Sequence, residues 1–393
     1  MKRKTTIKKL QSLLLIIGIL LIATNLRVAL TSVGPLVDMI REDTGISNGA
    51  IGMLTTLPLL AFAMFSMLAP KLAGSFGINF ILMLSLIVLV IGILVRSIDN
   101  IKLLFLGTFI LGSAIAMGNV LLPALFKQNF PYQIGLMTGL YTTVMNLFGA
   151  LASGLSFPIA QHLNIGWRPT LASASILVII AILLWIPQLA DNRSFKTKRN
   201  TLTKNVWCSK NSWYITLFMG LQSLLYFVML SWLPKIFVHY NLTSSEAGWM
   251  LSLMLIFTIP ANFVIPIIFD QIKKQYLVII FIVMITLSGL IGILIFGGFL
   301  AILWSALLGF GIGGCLSLSL SLVALRSTDT KQTSQLSGMA QSVGYILAAI
   351  GPVLFGVLQD LTNSWSVPIM VMIINCVLLF IAGLGAIKKP LAK

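Results

Sequence analysis

A single arginine, Arg27, lies inside a long apolar segment that runs from about Leu10 to Val37. Its guanidinium keeps its proton at physiological pH, and holding a charge at the centre of a bilayer costs at least ~2.5 kcal/mol. Arg27 is therefore expected to face a protein interior, a water-filled cavity or an anion. Its planar fork of N–H donors fits anionic and electron-rich groups, so we predict that Arg27 is the central cation of a solute-binding site.

Helical spacing places other polar residues on the face of Arg27. Thr24, Arg27, Thr31 and Asp38 follow one another at i, i+3, i+7 and i+14. Asp38 is an alternative partner for the charge, but it lies about 16 Å further along a regular helix, which is long for an ion pair within one helix. We therefore predict that Thr31 and Arg27 bind solute together, with a purely structural Arg27 as the alternative.

The composition is that of a polytopic membrane protein. Hydrophobic residues make up 58% of the 393 positions and charged residues 9%, with a mean hydropathy of +1.02, whereas a soluble domain has about 25% charged residues. The basic N-terminal residues before the first apolar run imitate a signal peptide, but the run is too long for one. We interpret it as the first membrane span.

Neither a metal site nor a cofactor site is predicted. The three cysteines form no CxxC pair, and the two histidines, His162 and His239, fall near predicted helix ends without a ligand cluster. The sequence contains no Walker loop, no HExxH motif and no intramembrane Ser/His/Asp set. We therefore expect a protein that is not an enzyme and that uses no cofactor.

Segments of about 20 apolar residues, the length that a bilayer requires, recur along the whole chain. They predict an all-α polytopic membrane protein with twelve transmembrane helices. The spans are placed near 11–38, 50–70, 78–96, 102–126, 134–160, 168–187, 212–238, 247–269, 276–296, 299–323, 333–358 and 366–387.

The basic residues indicate the orientation of these spans. Most of the 26 lysines and arginines fall at the two termini, in the polar interval 191–211, or in loops on the same side. Lysine and arginine accumulate in cytoplasmic loops, so both termini are predicted to be cytoplasmic in the cell membrane. The net charge of +17 is then a signal of topology, and no nucleic-acid partner is expected. The opposite surface holds Arg41, Arg96, Lys102, Arg168 and Lys235.

Matching residues recur in the two halves of the chain. Gly139 and Gly338 are separated by the same offset as Pro169 and Pro368. Two six-span halves in parallel orientation are the plan of major facilitator transporters, which hold solute near the membrane midplane. The predicted division is an N-terminal six-helix half at 1–190, a basic cytoplasmic linker at 191–211 and a C-terminal six-helix half at 212–393.

Polar residues within spans gather on the face away from lipid, and they mark the predicted lining of the solute path. Each type has a structural alternative, because glycines permit close packing, asparagines join helices by hydrogen bonds and aromatic residues fill cores. The predicted solute-binding residues are Arg27, Thr31, Asn119, Tyr141, Asn146, Gln222, Tyr226, Trp232, Gln341 and Tyr345.

The nine acidic residues all lie in predicted loops or at predicted helix ends. No carboxylate is therefore expected in mid-membrane, where proton relays of pumps and transporters are placed. A buried cation without a buried carboxylate favours an anionic or strongly polar, electron-rich solute.

Several short motifs carry a family resemblance. They are Asn25-Leu26-Arg27 with Thr31-Ser32-Val33-Gly34-Pro35-Leu36, Leu54-Thr55-Thr56-Leu57-Pro58-Leu59, Gly118-Asn119-Val120-Leu121-Leu122-Pro123, Ser231-Trp232-Leu233-Pro234, and Gly344-Tyr345 with Gly351-Pro352. Together they resemble the cyanate porter family of the major facilitator superfamily, which includes bacterial cyanate and 2-nitroimidazole transporters. The resemblance implies a secondary transporter of small polar or anionic solutes, with Arg27 and Asn119 in the pathway. The loop after span two lacks the acidic residue of the superfamily, whereas its second-half counterpart carries Asp270.

The leading hypothesis is a proton- or gradient-coupled porter of a small anion or polar heteroaromatic compound, which works by alternating access. The alternative is a multidrug exporter of the same fold, in which Arg27 is structural and Met and Phe residues form the pocket. A membrane sensor or scaffold would require a signalling domain or a long cytoplasmic tail, and neither is evident. We expect a monomer whose partners are a small solute and the lipid bilayer.

Overall fold

The computed structural model describes residues 2–46, 48–162, 165–191 and 206–387, and every regular element in these ranges is a helix. Short 3-10 helices lie at Gly34–Leu36, Ile186–Asp191 and Val206–Cys208. The α-helices are α1 (Lys2–Thr31), α2 (Val37–Thr44), α3 (Asn48–Ser66), α4 (Ala69–Phe76), α5 (Ile78–Arg96), α6 (Ile101–Asn129), α7 (Ile134–His162), α8 (Trp167–Trp185), α9 (Lys210–His239), α10 (Ser244–Gln271), α11 (Gln275–Phe296), α12 (Ala301–Arg326), α13 (Thr330–Thr362) and α14 (Ser366–Ala386).

Eleven helical segments in the described ranges are long and apolar enough to cross a membrane. A further pair, Thr56–Ser66 in α3 and Ala69–Phe76, is bent by 49° and makes a twelfth span if it is counted as one. The bend falls before Pro70, which sits in the first turn of α4, where its missing N–H removes no helical bond. The predicted all-α fold is confirmed, and the predicted span at 50–70 is a bent one.

The first candidate span, Leu13–Leu36, lies close to its prediction, but its regular helix is interrupted before the end. α1 stops at Thr31, the 3-10 turn Gly34–Leu36 follows, and α2 begins at Val37. Pro35 lies in the first residues of that turn and has no N–H with which to continue the helical ladder. The predicted polar face is therefore one helical face only as far as Thr31. The side chain of Asp38, its predicted last member, lies outside the described residues.

The chain divides into two compact units. Unit 1 comprises Met1–Leu122 and Val144–Lys198, and unit 2 comprises Pro123–Thr143 and Arg199–Lys393. Helices α6 and α7 thus each contribute to both units. The predicted halves at 1–190 and 212–393 follow the sequence repeat and stay a prediction.

The first turns of α7 belong to unit 2 because they pack closely on α10. A Cβ atom on Gly135 would lie 2.5 Å from the Pro266 carbonyl oxygen, and one on Gly139 would lie 2.8 Å from the Phe263 carbonyl oxygen. Glycine at both positions lets the two backbones approach to a distance that no side chain would allow.

In unit 1, α8 packs against α1 and α5. The Trp185 side chain is fully buried, and its indole N–H donates to the Asn79 carbonyl of α5 at 3.0 Å. The Asn25 amide of α1 donates to the Leu177 carbonyl of α8 at 3.3 Å. The Trp185 bond holds α8 on α5, and the Asn25 bond holds α1 on α8.

In unit 2, α9 packs along α13, and α10 packs along α12. A Cβ atom on Gly309 would lie 2.1 Å from the Met254 carbonyl oxygen, and one on Gly220 would lie 3.2 Å from the Gly344 Cα. Small residues at such crossings permit close packing in a membrane protein. The contacts of Gly309 agree with the packing interpretation of small residues within spans.

Candidate functional site

The predicted central cation lies in the last two turns of α1. Arg27 is partly buried, and its backbone carbonyl accepts a hydrogen bond from the Thr31 hydroxyl at 3.1 Å. The same hydroxyl lies 2.8 Å from the Gly149 carbonyl oxygen of α7. A Cβ atom on Gly149 would lie 3.1 Å from the Arg27 Cβ. Thr31 and Gly149 therefore fix the turn that carries Arg27 against α7.

Two predicted asparagines lie near this turn. A Cβ atom on Gly118 of α6 would lie 2.7 Å from a methyl carbon of Leu26, and Asn119, which follows Gly118, is 8% exposed. Asn146 precedes Gly149 by less than one turn of α7 and is partly buried. Four predicted residues thus come to one level of unit 1. They are Arg27, Thr31, Asn119 and Asn146.

A second arginine of unit 1, predicted to lie at the membrane surface, is fully buried. Arg96 is the last residue of α5 and is 1% exposed, and its Nη1 donates to the Ala29 carbonyl of α1 at 2.7 Å. Because α1 ends at Thr31, this carbonyl is one of those that a helix end leaves without a backbone partner.

Arg168 links three segments of unit 1. Its guanidinium lies 2.6 Å from Asp43 of α2 and 2.6 Å from Asp99, which follows α5. It also stacks over the Trp167 ring, 4.4 Å from the centroid, and the Trp167 indole N–H donates to Asp43 at 3.1 Å. Asp43, Trp167 and Arg168 border a cavity of about 510 Å³ between the end of α2 and residues 165–169. The ion pairs hold the beginning of α8 to both α2 and α5.

In unit 2, the two predicted glutamines lie on α9 and α13. Gln222 is 1% exposed, and its amide donates to the Ser223 hydroxyl at 2.7 Å. Gln341 is 2% exposed, and its amide donates to the Ser337 hydroxyl at 3.0 Å. The Gln341 Oε1 accepts no hydrogen bond from the residues that the structure describes. Both of these buried groups are neutral amides, whereas the buried Arg96 of unit 1 is a cation.

Three aromatic residues complete the predicted set on these helices. Tyr226 and Tyr345 are partly buried, and the Tyr226 ring packs edge-on against Phe227 with 5.1 Å between centroids. The Trp232 indole N–H donates to the Pro352 carbonyl at 2.9 Å. This bond joins α9 to α13, so Trp232 has a structural role beside its predicted one.

The predicted solute-binding residues of α7, Tyr141 and Asn146, are divided between the units. Tyr141 belongs to unit 2, is 1% exposed and packs edge-on against Phe126 with 5.9 Å between centroids. The Thr142 hydroxyl lies 2.8 Å from the Thr138 carbonyl and 3.2 Å from the Asn262 carbonyl of α10. The structure thus places Tyr141 in the core of unit 2, whereas the later turns of α7 belong to unit 1.

Asp270, the acidic residue of the second-half loop, caps α7 within unit 2. Its Oδ2 accepts a hydrogen bond from the Gly135 N–H at 3.3 Å. Gly135 lies in the first turn of α7, where N–H groups lack helical partners and a negative charge is favourable. Asp270 therefore stabilises the start of α7 against the end of α10.

Within the described ranges, no group of three or more His, Cys, Asp or Glu residues could hold a metal ion. The side chain of His162 lies outside the described residues. The chemistry that the described side chains offer is that of guanidinium groups, amides and hydroxyls, which bind electron-rich groups through hydrogen bonds.

The chain matches the model of the Major Facilitator Superfamily over residues 15–352 and 235–392. It is 44% identical over 380 residues to the "Uncharacterized transporter YycB" of Bacillus subtilis (strain 168), covering 96% of this chain and 94% of that one. It is 39% identical over 384 residues to the "2-nitroimidazole transporter" of Escherichia coli (strain K12), with 97% of each chain covered. It is 25% identical over 352 residues to the "Cyanate transport protein CynX" of the same strain, covering 89% of this chain and 91% of that one.

A solved structure shares the fold. The chain is similar to "Crystal structure of a Major Facilitator Superfamily (MFS) transporter, FucP, in the outward conformation", with a TM-score of 0.74 and 12% identity, covering 95% of this chain and 99% of that one. At this identity the likeness concerns the fold alone. The two Escherichia coli relatives confirm the predicted resemblance to cyanate and 2-nitroimidazole transporters, and their names confirm a transporter rather than an enzyme.

Proposed function

Because the chain belongs to the Major Facilitator Superfamily, we propose that it is a secondary transporter of small planar solutes that are anionic or electron-rich, and that it works by alternating access. It is a multi-pass protein of the cell membrane. The distribution of lysine and arginine supports cytoplasmic termini. Relatives named for 2-nitroimidazole and cyanate support the class of solute, since both compounds are small and carry electron-rich atoms.

The position of Arg27 carries the proposal. A permanent cation in a membrane-spanning helix marks a functional site by default, and this one lies where α1, α6 and α7 come together. Thr31 and Gly149 fix its backbone and the base of its side chain, so the turn that carries the guanidinium is held in place before solute arrives. A planar guanidinium binds a planar oxyanion or nitro group through parallel N–H bonds. In this proposal Arg27 binds the electron-rich group of the solute.

The other predicted residues provide neutral contacts along the solute path. Amide and hydroxyl groups orient a polar ring, and aromatic side chains cover its faces. In unit 1 these contacts come from Thr31, Asn119 and Asn146. In unit 2 they come from Tyr141, Gln222, Tyr226, Trp232, Gln341 and Tyr345.

The test is uptake into proteoliposomes that contain the purified full chain, with cyanate, nitrate, 2-nitroimidazole and a cationic dye as solutes. Arg27→Gln is expected to lower uptake of the first three roughly ten- to a hundredfold, because a hydrogen bond to a charged group contributes about 1.5–3 kcal/mol. Arg27→Lys, which keeps the charge without the fork, should fall between Arg27→Gln and the wild type. Arg41→Gln, which removes an exposed arginine of α2, is the matched control and should transport normally.

Two outcomes would contradict the proposal. If folded Arg27→Gln moves every solute at the wild-type rate, Arg27 does not bind solute. If the wild type moves only the dye, and Arg27→Gln moves it equally well, the protein is a multidrug transporter with a structural arginine.

A further inference from the structure

The connection between α11 and α12 exposes large apolar side chains, and we call residues 296–302 the apolar turn. Phe299 is 70% exposed, and Phe296 and Ile302 are also exposed. Turns in water are rich in Gly, Pro, Asn, Asp and Ser, whereas this one has two glycines and no polar residue. Exposed apolar patches mark surfaces that meet another molecule or a membrane. The apolar turn is therefore a candidate interaction surface.

The other connections of unit 2 at the same membrane surface carry charges. Consecutive spans cross a bilayer in opposite directions, so the α9–α10 and α13–α14 connections lie at the same surface as the apolar turn. Glu246 lies in the first turn of α10, Asp360 lies in the last turn of α13, and both are exposed. In contrast, residues 275–325 include no charged residue and no histidine. The apolar turn thus has none of the charge that its neighbours present to water.

Backbone groups of the apolar turn make hydrogen bonds within the α11–α12 hairpin. The Trp304 indole N–H donates to the Phe299 carbonyl at 2.7 Å, and the Phe299 N–H donates to the Phe296 carbonyl at 3.1 Å. The Trp304 and Phe296 rings stack with 5.9 Å between centroids, and a Cβ atom on Gly292 would lie 2.3 Å from Trp304. Backbone polar groups enter lipid only where the protein itself satisfies them. The indole that binds the Phe299 carbonyl suits a turn in contact with lipid.

Leu300 has a backbone conformation that side chains rarely adopt. Its φ is 59°, in the left-handed region where the clash of Cβ with the backbone favours glycine. Even so, Leu300 is 51% exposed, so contacts within the protein cover only about half of it. Backbone strain of this kind points to a functional constraint. Removal of the exposed half of the leucine from water would offset the strain.

One side of the apolar turn is covered by protein, and the other side continues the lipid-facing surface. A Cβ atom on Gly297 would lie 2.7 Å from the Tyr240 ring, and one on Gly298 would lie 2.4 Å from a methyl carbon of Leu242. On the opposite side, exposed Ile295 of α11 directly precedes the turn. Exposed apolar side chains of a span face acyl chains, so a surface continuous with them meets the same partner.

We propose that the apolar turn inserts into the bilayer at the boundary between head groups and acyl chains, where amphipathic segments bury their apolar faces. Acyl chains cover the exposed side chains of Phe296, Phe299, Leu300 and Ile302. The turn is then a membrane anchor that holds one end of the α11–α12 hairpin and, through Tyr240, the α9–α10 connection. This inference is independent of the transported solute and goes beyond the proposed function.

The test places a nitroxide spin label on the full chain in liposomes of phosphatidylcholine and phosphatidylglycerol. Cys208→Ser first removes the exposed native cysteine, since the other two are buried. Phe299→Cys then carries the label in the apolar turn, and Asp360→Cys carries it at a charged connection of the same surface as the matched control. Oxygen concentrates among acyl chains, whereas a nickel chelate stays in water. The ratio of oxygen to nickel-chelate collision rates is expected to be several-fold higher at position 299 than at position 360.

Two results would overturn the proposal. Equal ratios at the two positions would show that the apolar turn lies in water. A label at position 299 that is shielded from both reagents would show that protein covers the turn, and dipolar broadening between labels would identify that protein as a second copy of the chain. If Phe299→Cys does not fold, Ile302→Cys carries the label, and the same ratio is expected from it.

Discussion

Both compact units bury neutral polar groups, and unit 1 also buries an arginine. Unit 1 holds two arginines near the end of α1: Arg27 is partly buried, and Arg96 is fully buried and donates to a carbonyl of α1. Unit 2 holds two glutamines on α9 and α13 that are nearly inaccessible and bonded to neighbouring serine hydroxyls. Both units rely on glycines where helices cross. The two units thus share glycines at helix crossings but differ in the charge of the polar side chains described above.

The difference between a buried arginine and a buried glutamine lies in what each requires of its surroundings. A buried guanidinium requires acceptors and a fixed backbone, and α1 supplies one acceptor, the Ala29 carbonyl, because its helix ends inside the unit and leaves carbonyls to be capped. A buried amide is neutral and is satisfied by one or two hydrogen bonds. We therefore expect charge-dependent steps to depend on unit 1 and shape-dependent steps to depend on the α9–α13 crossing of unit 2.

The largest effect is expected from Gly220→Val, which attacks the crossing in unit 2. The new side chain would begin 2.8 Å from a methyl carbon of Leu347 and 3.2 Å from the Gly344 Cα, so α9 and α13 must separate. Overpacking of this kind lowers the free energy of unfolding by about 1–3 kcal/mol, and uptake of all solutes should fall together. Thermal unfolding and proteoliposome uptake measure the two effects.

Gly248→Val is the control for this substitution. Gly248 lies in α10 of the same unit, and a Cβ atom there would meet nothing within 4 Å. Equal stability losses in Gly220→Val and Gly248→Val would show that the loss comes from the valine itself, and the idea of a tight crossing would be abandoned.

Many of the helix boundaries were predictable because glycine and proline lie at the helix ends. The predicted span at 78–96 coincides with α5 (Ile78–Arg96), which begins after Gly77, a glycine with φ of 89°. The first span was predicted at 11–38, close to the candidate span Leu13–Leu36, but the regular α-helix within it stops at Thr31 and a 3-10 turn with Pro35 completes it. Composition predicts where a chain is apolar. The position of Pro35, which has no N–H, predicts where the regular α-helix of the first span stops.

The site was predictable in part, for a different physical reason. Periodicity within one helix put Arg27 and Thr31 on one face, and the Thr31 hydroxyl does lie 3.1 Å from the Arg27 carbonyl. Periodicity cannot show what lies across from a face, so the contact of Thr31 with Gly149 and the burial of Arg96 under the end of α1 were not foreseen. Both depend on contacts between residues that are far apart in sequence.

An intermediate effect is expected from Gln341→Leu, which removes a neutral polar group from unit 2. The Ser337 hydroxyl loses one donor, and the Oε1 atom, which has no donor among the described residues, is removed. A neutral hydrogen bond contributes about 0.5–1.5 kcal/mol, so uptake should fall by a few-fold, well short of the loss in Arg27→Gln. Gln359→Leu makes the same exchange on α13 outside the predicted set and should have no effect on uptake. If uptake falls as much in Gln341→Leu as in Arg27→Gln, the expectation that the two units contribute differently to transport is wrong.

The smallest effect is expected where each unit places a cation over a tryptophan. Arg168 lies over Trp167 in unit 1 and also pairs with two carboxylates, whereas Lys235 lies 4.8 Å from the Trp232 centroid in unit 2 and has no ion pair among the described residues. Exposed ion pairs contribute about 0.2–1 kcal/mol each and are screened by salt. Arg168→Ala should therefore destabilise the protein by roughly 1 kcal/mol at low salt, which is more than Lys235→Ala. The difference between the two variants should shrink in 1 M sodium chloride, where the screening length is about 3 Å. If the two variants lose equal stability at both salt concentrations, the carboxylates add nothing to unit 1, and the contrast between the units is confined to their buried groups.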